Sequence, residues 1–376
     1  MFENPFHPGS GDEPPYFAGR HVIFDDVLLG LQRGPGALEY HRLIVGGEGT
    51  GKSVLLRRIE ALARDEWRWT TVTWQGGTGG SLKQLLIEEK PRIEAALVAK
   101  TRRVPKAIVP DPAPAGRAIH PNDLLGQTVT SRLRHLGTVA KQHDRTLLFV
   151  IDDLQAVGPS DIAALSGSLH TLVSNEGLPI GLVAAGLSNT KSVIGAIPGT
   201  SFLEQREPLR IGNLEPDATI DALQRPIEST GRSITRSALD HLVTATEGYP
   251  YAVQLAGKYT WDAAKTDDEI TLGHARSGAK RMAAHMAKHV YETRWSELVS
   301  AERRYLRVAA QLVDADGEIS TGEIAEQLGL KHSQLSPVRA DLIDRRLILR
   351  PTRYGQVVFD VPGFARWITD AGSEDS

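Results

Sequence analysis

Cysteine is absent from all 376 residues. That excludes disulfides, cysteine-held metal and thiol catalysis, and it fits a reducing cytoplasm. No apolar run approaches the eighteen residues of a membrane-spanning helix; the longest are strand-sized. The opening "MFENPFHPGSGDEPPYFAGR" has no basic segment followed by an apolar one, so no secretory signal is expected there. There is no large excess of either charge: the formal net charge is −3, which gives no global attraction to nucleic acid or to an anionic membrane. Any DNA contact must come from a local patch. Internal repeats and long low-complexity tracts are also lacking. The expected setting is a soluble cytoplasmic protein with no membrane partner.

What is present is ordinary globular material, 41% hydrophobic and 24% charged, in a chain too long for one core. Two or three domains are expected. Residues 1–18 are rich in proline, glycine and polar groups and read as an extended arm. Val22, Val27, Leu28 and Leu31 keep helical spacing as far as "RGPG". Leu43 to Val45 form an apolar strand entering a glycine turn, after which Val54, Leu55, Ile59 and Leu62 mark one helix face. "WTTVTW" (69–74) alternates and is β-branched, which predicts a strand, and the loop between Gly76 and Gly80 follows it. The segment 101–121 carries Pro105, Pro110, Pro112, Pro114 and Pro121 and reads as an exposed excursion. "TLLFVIDD" (146–153) and "IGLVAAGL" (180–187) are continuous apolar runs, the pattern of parallel strands covered by helices on both faces.

From Asn213 the pattern changes to helices alone; in "SALDHLVTATEG", Ala238, Leu239, Leu242 and Val243 form a stripe and Gly248 a cap. Tyr305, Leu306, Val308, Ala309 and Leu312 begin a further helix, followed by a helical pair and a hairpin. The expected fold is an α/β P-loop NTPase core at 19–212, with a parallel sheet and helices on both faces. A helical lid at 213–298, a winged helix-turn-helix at 299–368 and a tail at 369–376 complete the division.

Gly46, Gly51, Lys52 and Ser53 satisfy G-x-x-x-x-G-K-S/T in "GGEGTGKS", set between a strand and a helix as that motif requires. Glycines let backbone N–H groups converge on phosphate oxygens, and the helix that follows adds the positive end of its dipole. The cradle predicted is Gly46, Gly47, Glu48, Gly49, Thr50, Gly51, Lys52, Ser53 and Val54. Lys52 would neutralise the β and γ phosphates and Ser53 would ligate Mg²⁺. Asp152 and Asp153 end the strand 146–151 in a Walker B pattern, Asp152 for the metal and Asp153 where many ATPases carry a glutamate that orients attacking water. The shorter aspartate, by about 1.5 Å, predicts slow hydrolysis. No guanine-reading N-K-x-D segment follows, so ATP, with ADP as product, is expected rather than GTP.

These residues resemble the AAA+ ATPases of the origin-recognition type, in their bacterial form, and the related STAND switch ATPases. The likeness covers most of the chain. "FENPFHPGSGDEPPYFAGR" looks like the amino-terminal segment whose G-R pair lies beside adenine, which implies that role for Gly19 and Arg20. "GLVAAGLSNT" resembles the sensor-1 strand, making Ser188 or Asn189 the reader of the γ-phosphate or a helix cap. "SFLEQREPLRIGNLEP" resembles the lead into the lid and makes Arg206 the arginine-finger candidate, with a surface salt bridge as its ordinary alternative. "TEGYPYAVQLAG" puts a G-x-P motif, Gly248, Tyr249 and Pro250, where many AAA+ proteins carry a sensor-2 arginine; Tyr249 and Pro250 would pack on the nucleotide.

"EISTGEIAEQLGLKHSQLSPVRADLIDRRLILRPTRYGQVVFDVPGFARWI" looks like a winged helix, with Ile324, Ala325 and Leu328 in its first helix. Leu335, Val338, Leu342 and Ile343 form the core face of the second, and a two-stranded wing follows. Lys331, Ser333, Gln334, Ser336 and Arg339 begin the recognition helix, and Arg345, Arg346, Arg350 and Arg353 extend a basic side. Residues 301–368 hold ten Lys/Arg and nine Asp/Glu, so double-stranded DNA and a protein partner both stay open. The resemblance implies a homo-oligomer in the ATP state and an ATPase that couples nucleotide state to DNA binding or assembly. The alternative is a STAND-type switch in which ATP is a structural ligand. A small-molecule kinase would share the cradle but has no use for a winged helix.

Overall fold

The computed structural model describes residues 3–9, 13–78, 80–99, 128–344, 349–351 and 353–371. The proline-rich excursion 101–121, Arg345 and Arg346 lie outside the described residues. Two compact units make up the chain: one is Arg20–Gly46 with Lys52–Ile211, the other Met1–Gly19, Gly47–Gly51 and Gly212–Ser376.

In the Arg20–Ile211 unit, five parallel strands form one sheet: β1 (His41–Val45), β2 (Thr70–Gln75), β3 (Leu147–Asp152), β4 (Ile180–Gly186) and β5 (Leu209–Arg210), in the order β2-β3-β4-β1-β5. β4 is buried throughout and β3 everywhere except Asp152, as expected of strands with helices on both faces. Each fully buried side chain of the Leu147–Ile151 run contributes about 1.5–3 kcal/mol of transfer free energy. The helix Lys52–Asp65 buries Leu55, Leu56, Ile59 and Ala63. Its buried Glu60 accepts hydrogen bonds from the hydroxyls of Thr71 (3.2 Å) and Thr73 (2.9 Å) on β2, which offset the cost of enclosing a carboxylate. The helix Val129–Gln142 is capped by the Thr128 hydroxyl, and Gly137 gives it close approach: a Cβ there would lie 2.8 Å from Ile180 Cδ1. In the helix His21–Gln32 the buried residues are Val27, Gly30 and Leu31, whereas Val22 is 83% exposed, so the apolar spacing starts later than its first valine suggested.

Register fixes which residues share the carboxyl end of this sheet. Gln75 pairs with Asp152, and Val45 with Gly186. In doubly wound sheets ligands gather beyond those ends.

The other unit is mainly helical. Its amino-terminal arm is anchored: Phe6 is 1% exposed and lies against Gly257 of the helix Pro250–Ala264, while the Asn4 amide donates to Lys258 O and Asp262 Oδ1. The helix Arg236–Thr246 buries Ala238, Leu239 and Leu242, with Val243 only partly covered. Two corrections apply here. The residue of left-handed conformation that ends this helix is Glu247 (φ 47°), not Gly248; Gly248 (φ 68°) is required because the Leu214 carbonyl oxygen would lie 2.0 Å from a Cβ. The region is also not helical throughout, since β6 (Ser233–Ile234) and β7 (Glu269–Ile270) form a short parallel pair.

Toward the carboxyl end, the helices Ser300–Gln311, Thr321–Leu328 and His332–Asp344 pack through Tyr305, Leu306, Ile324, Ala325, Leu328, Leu335 and Leu342. Gly329, at φ 66°, ends the second of them. The expected two-stranded wing has a third strand: β8 (Ile319–Ser320), β9 (Leu349–Pro351) and β10 (Gln356–Phe359) lie in the order β8-β10-β9, antiparallel. A cluster of rings ties the helix Glu292–Ser296 and its preceding Tyr291 to the helix Phe364–Ala371. Tyr291 and Phe364 stand 5.3 Å apart, Trp295 and Trp367 6.0 Å, and the Tyr291 hydroxyl donates to Pro362 O at 2.6 Å.

Candidate functional site

At the end of β1 the Gly46 N–H donates to Gly186 O (3.2 Å) and extends the ladder by one residue. Lys52 opens the 14-residue helix behind the turn, only 7% exposed, and its Nζ donates to Gly46 O at 3.1 Å. A buried ammonium bonded to the Gly46 carbonyl, at the positive end of a helix, suits a phosphate. Ser53 and Val54 follow in the first turn, both partly covered.

The loop residues themselves belong to the other unit. Thr50 Oγ1 closes the turn on Gly47 O at 2.8 Å. Gly49 and Gly51 have φ of 70° and 89°, the left-handed region that a side chain resists. A Cβ on Gly51 would meet no atom within 4 Å, whereas one on Gly49 would lie 2.2 Å from the Tyr249 hydroxyl. That phenol is 2% exposed and donates to Glu48 O at 2.9 Å, and burial pushes its pKa up to about 12. Pro250 starts the following helix, where a missing N–H costs nothing. The Arg294 guanidinium donates to Glu48 Oε2 at 2.9 Å. Gly19, at φ 65°, abuts Ala218, and Arg20 stands at the N-cap of the helix His21–Gln32, its pKa lowered by burial.

The acidic pair sits at the end of β3. Asp152 is partly buried and uses Oδ1 to accept the Asp153 N–H (3.0 Å). Asp153 adopts φ 50° and ψ 49°, a conformation that disfavours most side chains and that aspartate tolerates better than most. Its carboxylate is held from two sides, by Gln75 Nε2 on Oδ2 (2.7 Å) and by Gln155 Nε2 on Oδ1 (3.2 Å). The Gln155 oxygen in turn accepts the Leu187 N–H (3.0 Å) and the Thr190 hydroxyl (3.3 Å), so one amide links the end of β3 to the turn after β4. Gln75 and Gln155 were not among the expected site residues. Only the strand register brings them to Asp153, although a polar residue ending a β-branched run was the available signal.

Asn189 stands at the N-cap of the helix Thr190–Gly195, but its side chain makes no capping bond, and Ser188 beside it is partly covered. Arg206 requires a correction. It is 9% exposed; Nε donates to Phe202 O (3.1 Å), Nη1 to Leu38 O (2.9 Å), and the guanidinium lies 4.4 Å from the Phe202 ring centre. In this structure the side chain is turned inward and bonded within its own unit, neither extended from the surface nor held in a surface salt bridge.

Among the expected DNA residues, Lys331, Ser333 and Gln334 are exposed at the start of the helix His332–Asp344. Gln334 folds back to accept the Lys331 N–H (2.9 Å), and the Ser336 hydroxyl donates to His332 O (2.9 Å). Arg339 is partly covered and close enough to Tyr305 to act on its phenol electrostatically. Arg353 is bonded to Glu318 (2.8 Å) and to Gln356 Oε1 (2.6 Å). Of the expected basic side, Arg353 is thus paired with a carboxylate.

The Ser53 hydroxyl and Asp152 carboxylate are hard oxygen donors, and Mg²⁺ is ordinarily held by one or two protein oxygens together with waters and phosphate oxygens. Among the described residues no group of three or more His, Asp or Glu side chains suits a metal by itself. The donor set thus fits a cation delivered with a nucleotide. Also among the described residues, no helix is long and apolar enough to cross a membrane.

Comparison with known proteins agrees with this architecture. Residues 20–183 match the AAA ATPase domain family, and residues 288–368 match a domain of unknown function. No curated protein matches the chain. A Walker-type ATPase of Pyrococcus abyssi is similar in structure, with a TM-score of 0.64 at 13% identity over 94% of this chain and 96% of that one. The ORC2 protein of Aeropyrum pernix, solved as ADPNP–ADP complexes, gives 0.61 at 13% identity over 98% and 96%. The Cdc6p protein of Pyrobaculum aerophilum gives 0.50 at 17% identity over 98% and 97%. The chain has the α/β P-loop NTPase fold, with an AAA ATPase domain match over residues 20–183.

Proposed function

We propose that this protein binds ATP at the glycine turn 46–53 and hydrolyses it slowly, as an AAA+ protein of the origin-recognition type. The observation that carries the reading is the buried Lys52, its Nζ bonded to Gly46 O, at the head of a 14-residue helix. Loop N–H groups and Lys52 would hold the β and γ phosphates, with Ser53 and Asp152 supplying oxygens to Mg²⁺. The metal would neutralise charge that develops on the phosphoryl oxygens. Asp153 would orient water. The A. pernix ORC2 structure, with ADPNP and ADP, supports the choice of nucleotide.

The carboxyl-terminal arrangement of three helices and a three-stranded antiparallel sheet supports a winged helix, through which nucleotide state would be coupled to double-stranded DNA or to assembly of a homo-oligomer. Lys52→Ala tests the core of this reading. Removing charge-assisted bonds worth about 1.5–3 kcal/mol lowers ATP affinity by about 10- to 150-fold. Unchanged affinity for a fluorescent ATP analogue overturns it.

A second reading is favoured by one feature. With both oxygens of Asp153 engaged by glutamine amides, water activation is restrained, which suits a STAND-type switch that retains ATP as a structural ligand and docks a protein partner. Steady-state turnover with and without duplex DNA, across a salt series, separates the two. DNA stimulation that salt removes supports the first; negligible turnover with tightly held nucleotide supports the second.

A further inference from the structure

The phosphate loop has one acidic side chain, Glu48, and it is exposed on one side and held on the other. Its carboxylate meets Arg294 at 2.9 Å, and its backbone carbonyl receives the Tyr249 phenol, also at 2.9 Å. The Arg294 charge also acts on that phenol. An ion pair exposed on both sides would contribute little, but here Arg294 is only 8% exposed while Glu48 is 52% exposed, so the guanidinium end of the pair is held in place by burial. A Cβ on the neighbouring Gly47 would lie 2.6 Å from Asp360 Oδ2, just past β10, so that carboxylate would have to shift.

Arg294 is itself firmly placed. It sits on the helix Glu292–Ser296, between Tyr291, which packs on Phe364, and Trp295, which packs on Trp367. We propose that Arg294 is a positioning residue for ATP binding: acting through Glu48, it holds the loop Gly47–Gly51 in the conformation that turns its N–H groups toward phosphate. This rests on the nucleotide reading above. It adds that the carboxyl-terminal helices, which hold Arg294 through Tyr291 and Trp295, help to set nucleotide affinity. Glycines at 47, 49 and 51 leave the loop many conformations, so an external tether has an ordering cost to offset.

The test is a double-mutant cycle on the full chain with Glu48→Gln, Arg294→Gln and both together, read as affinity for a fluorescent ATP analogue. Each single variant is expected to lose about tenfold, the double variant no more than either, and the charge swap Glu48→Arg with Arg294→Glu to recover part of the loss. Amide hydrogen exchange of residues 47–51 in nucleotide-free protein is expected to quicken in Arg294→Gln, with no matching change in the helix Thr321–Leu328. Single-variant affinities equal to wild type, or losses that add in the double variant, overturn the proposal while the nucleotide reading stands. A wild-type chain that binds no ATP overturns both. Should Arg294→Gln fail to fold, Glu48→Gln alone, at an exposed carboxylate, still decides: unchanged affinity and unchanged loop exchange sink the idea.

Discussion

The Gln75 side-chain amide donates to Asp153 Oδ2 at 2.7 Å, across two strands whose register places Gln75 opposite Asp152. One carboxylate is thereby held at the carboxyl end of the sheet by a neighbour 78 positions earlier in the chain. Freeing one oxygen should let Asp153 polarise water more readily. Gln75→Ala is expected to raise steady-state turnover about fivefold, the equivalent of one hydrogen bond of about 1 kcal/mol. Asp153→Asn should bind ATP normally and lose turnover by about a hundredfold. Single-turnover phosphate release checks both, and an Asp153→Asn variant with full activity would falsify the role assigned to this carboxylate.

His41 gives the core a pH dependence. Its ring is 3% exposed, between Tyr40 (5.2 Å) and Phe202 (5.1 Å), and burial, together with the nearby charge of Arg206, lowers its pKa to about 3. The folded state therefore binds a proton less readily than the unfolded chain, whose histidine titrates near 6.5. Stability contributed by the neutral ring is complete above about pH 6.5. It is lost as pH falls toward 3, by up to about 1.4 kcal/mol per pH unit. Urea unfolding between pH 7 and 5 should show this slope in the wild type and a shallower one in His41→Leu.

Arg206 is expected to matter for stability rather than for a neighbouring subunit. Arg206→Ala removes donors to Phe202 O and Leu38 O and should cost about 1–3 kcal/mol, seen as a lower Tm. Mixing this variant with wild type should leave wild-type ATP turnover intact. Dominant inhibition in the mixture would restore the finger role.

The amino-terminal arm is a structural part of the helical unit. Phe6→Ala removes a ring that is 1% exposed and should destabilise that unit by about 3–5 kcal/mol. Gly257→Ala brings a Cβ to 2.5 Å from Phe6 Cε1 and should expel the arm. Limited proteolysis near residue 9 reads the release, and an arm that stays protected in both variants contradicts the anchoring.

Much of the architecture was legible because its signals are local. The runs "TLLFVID" and "IGLVAAG" are apolar on both faces, and a strand covered on both sides has no other solution, so β3 and β4 were readable within a residue or two. The glycine turn between β1 and the helix opened by Lys52 was readable for a similar reason: left-handed backbone at Gly49 and Gly51 calls for glycine, and the signal lies within a few consecutive residues. The helix stripe through Ala238, Leu239 and Leu242 followed from period alone.

What sequence could not supply is any relationship between distant segments whose residues are individually unremarkable. A glutamine at the end of a strand and another two positions after an aspartate have no local signature, and they meet at Asp153 through strand register and the turn that follows β3. The position of Arg206 in its segment said nothing of rotamer, and in the structure the side chain turns inward against Phe202. The Phe6 ring, the Glu48–Arg294 pair and the third strand of the carboxyl-terminal sheet likewise depend on segments that meet only in three dimensions. By itself the sequence determined where strands, helices and the glycine turn lie, because these depend on short-range pattern and backbone conformation. Tertiary structure alone decided which side chains hold the turn and the acidic pair, because hydrogen bonds and burial act over a few ångströms in space, whatever the separation along the chain.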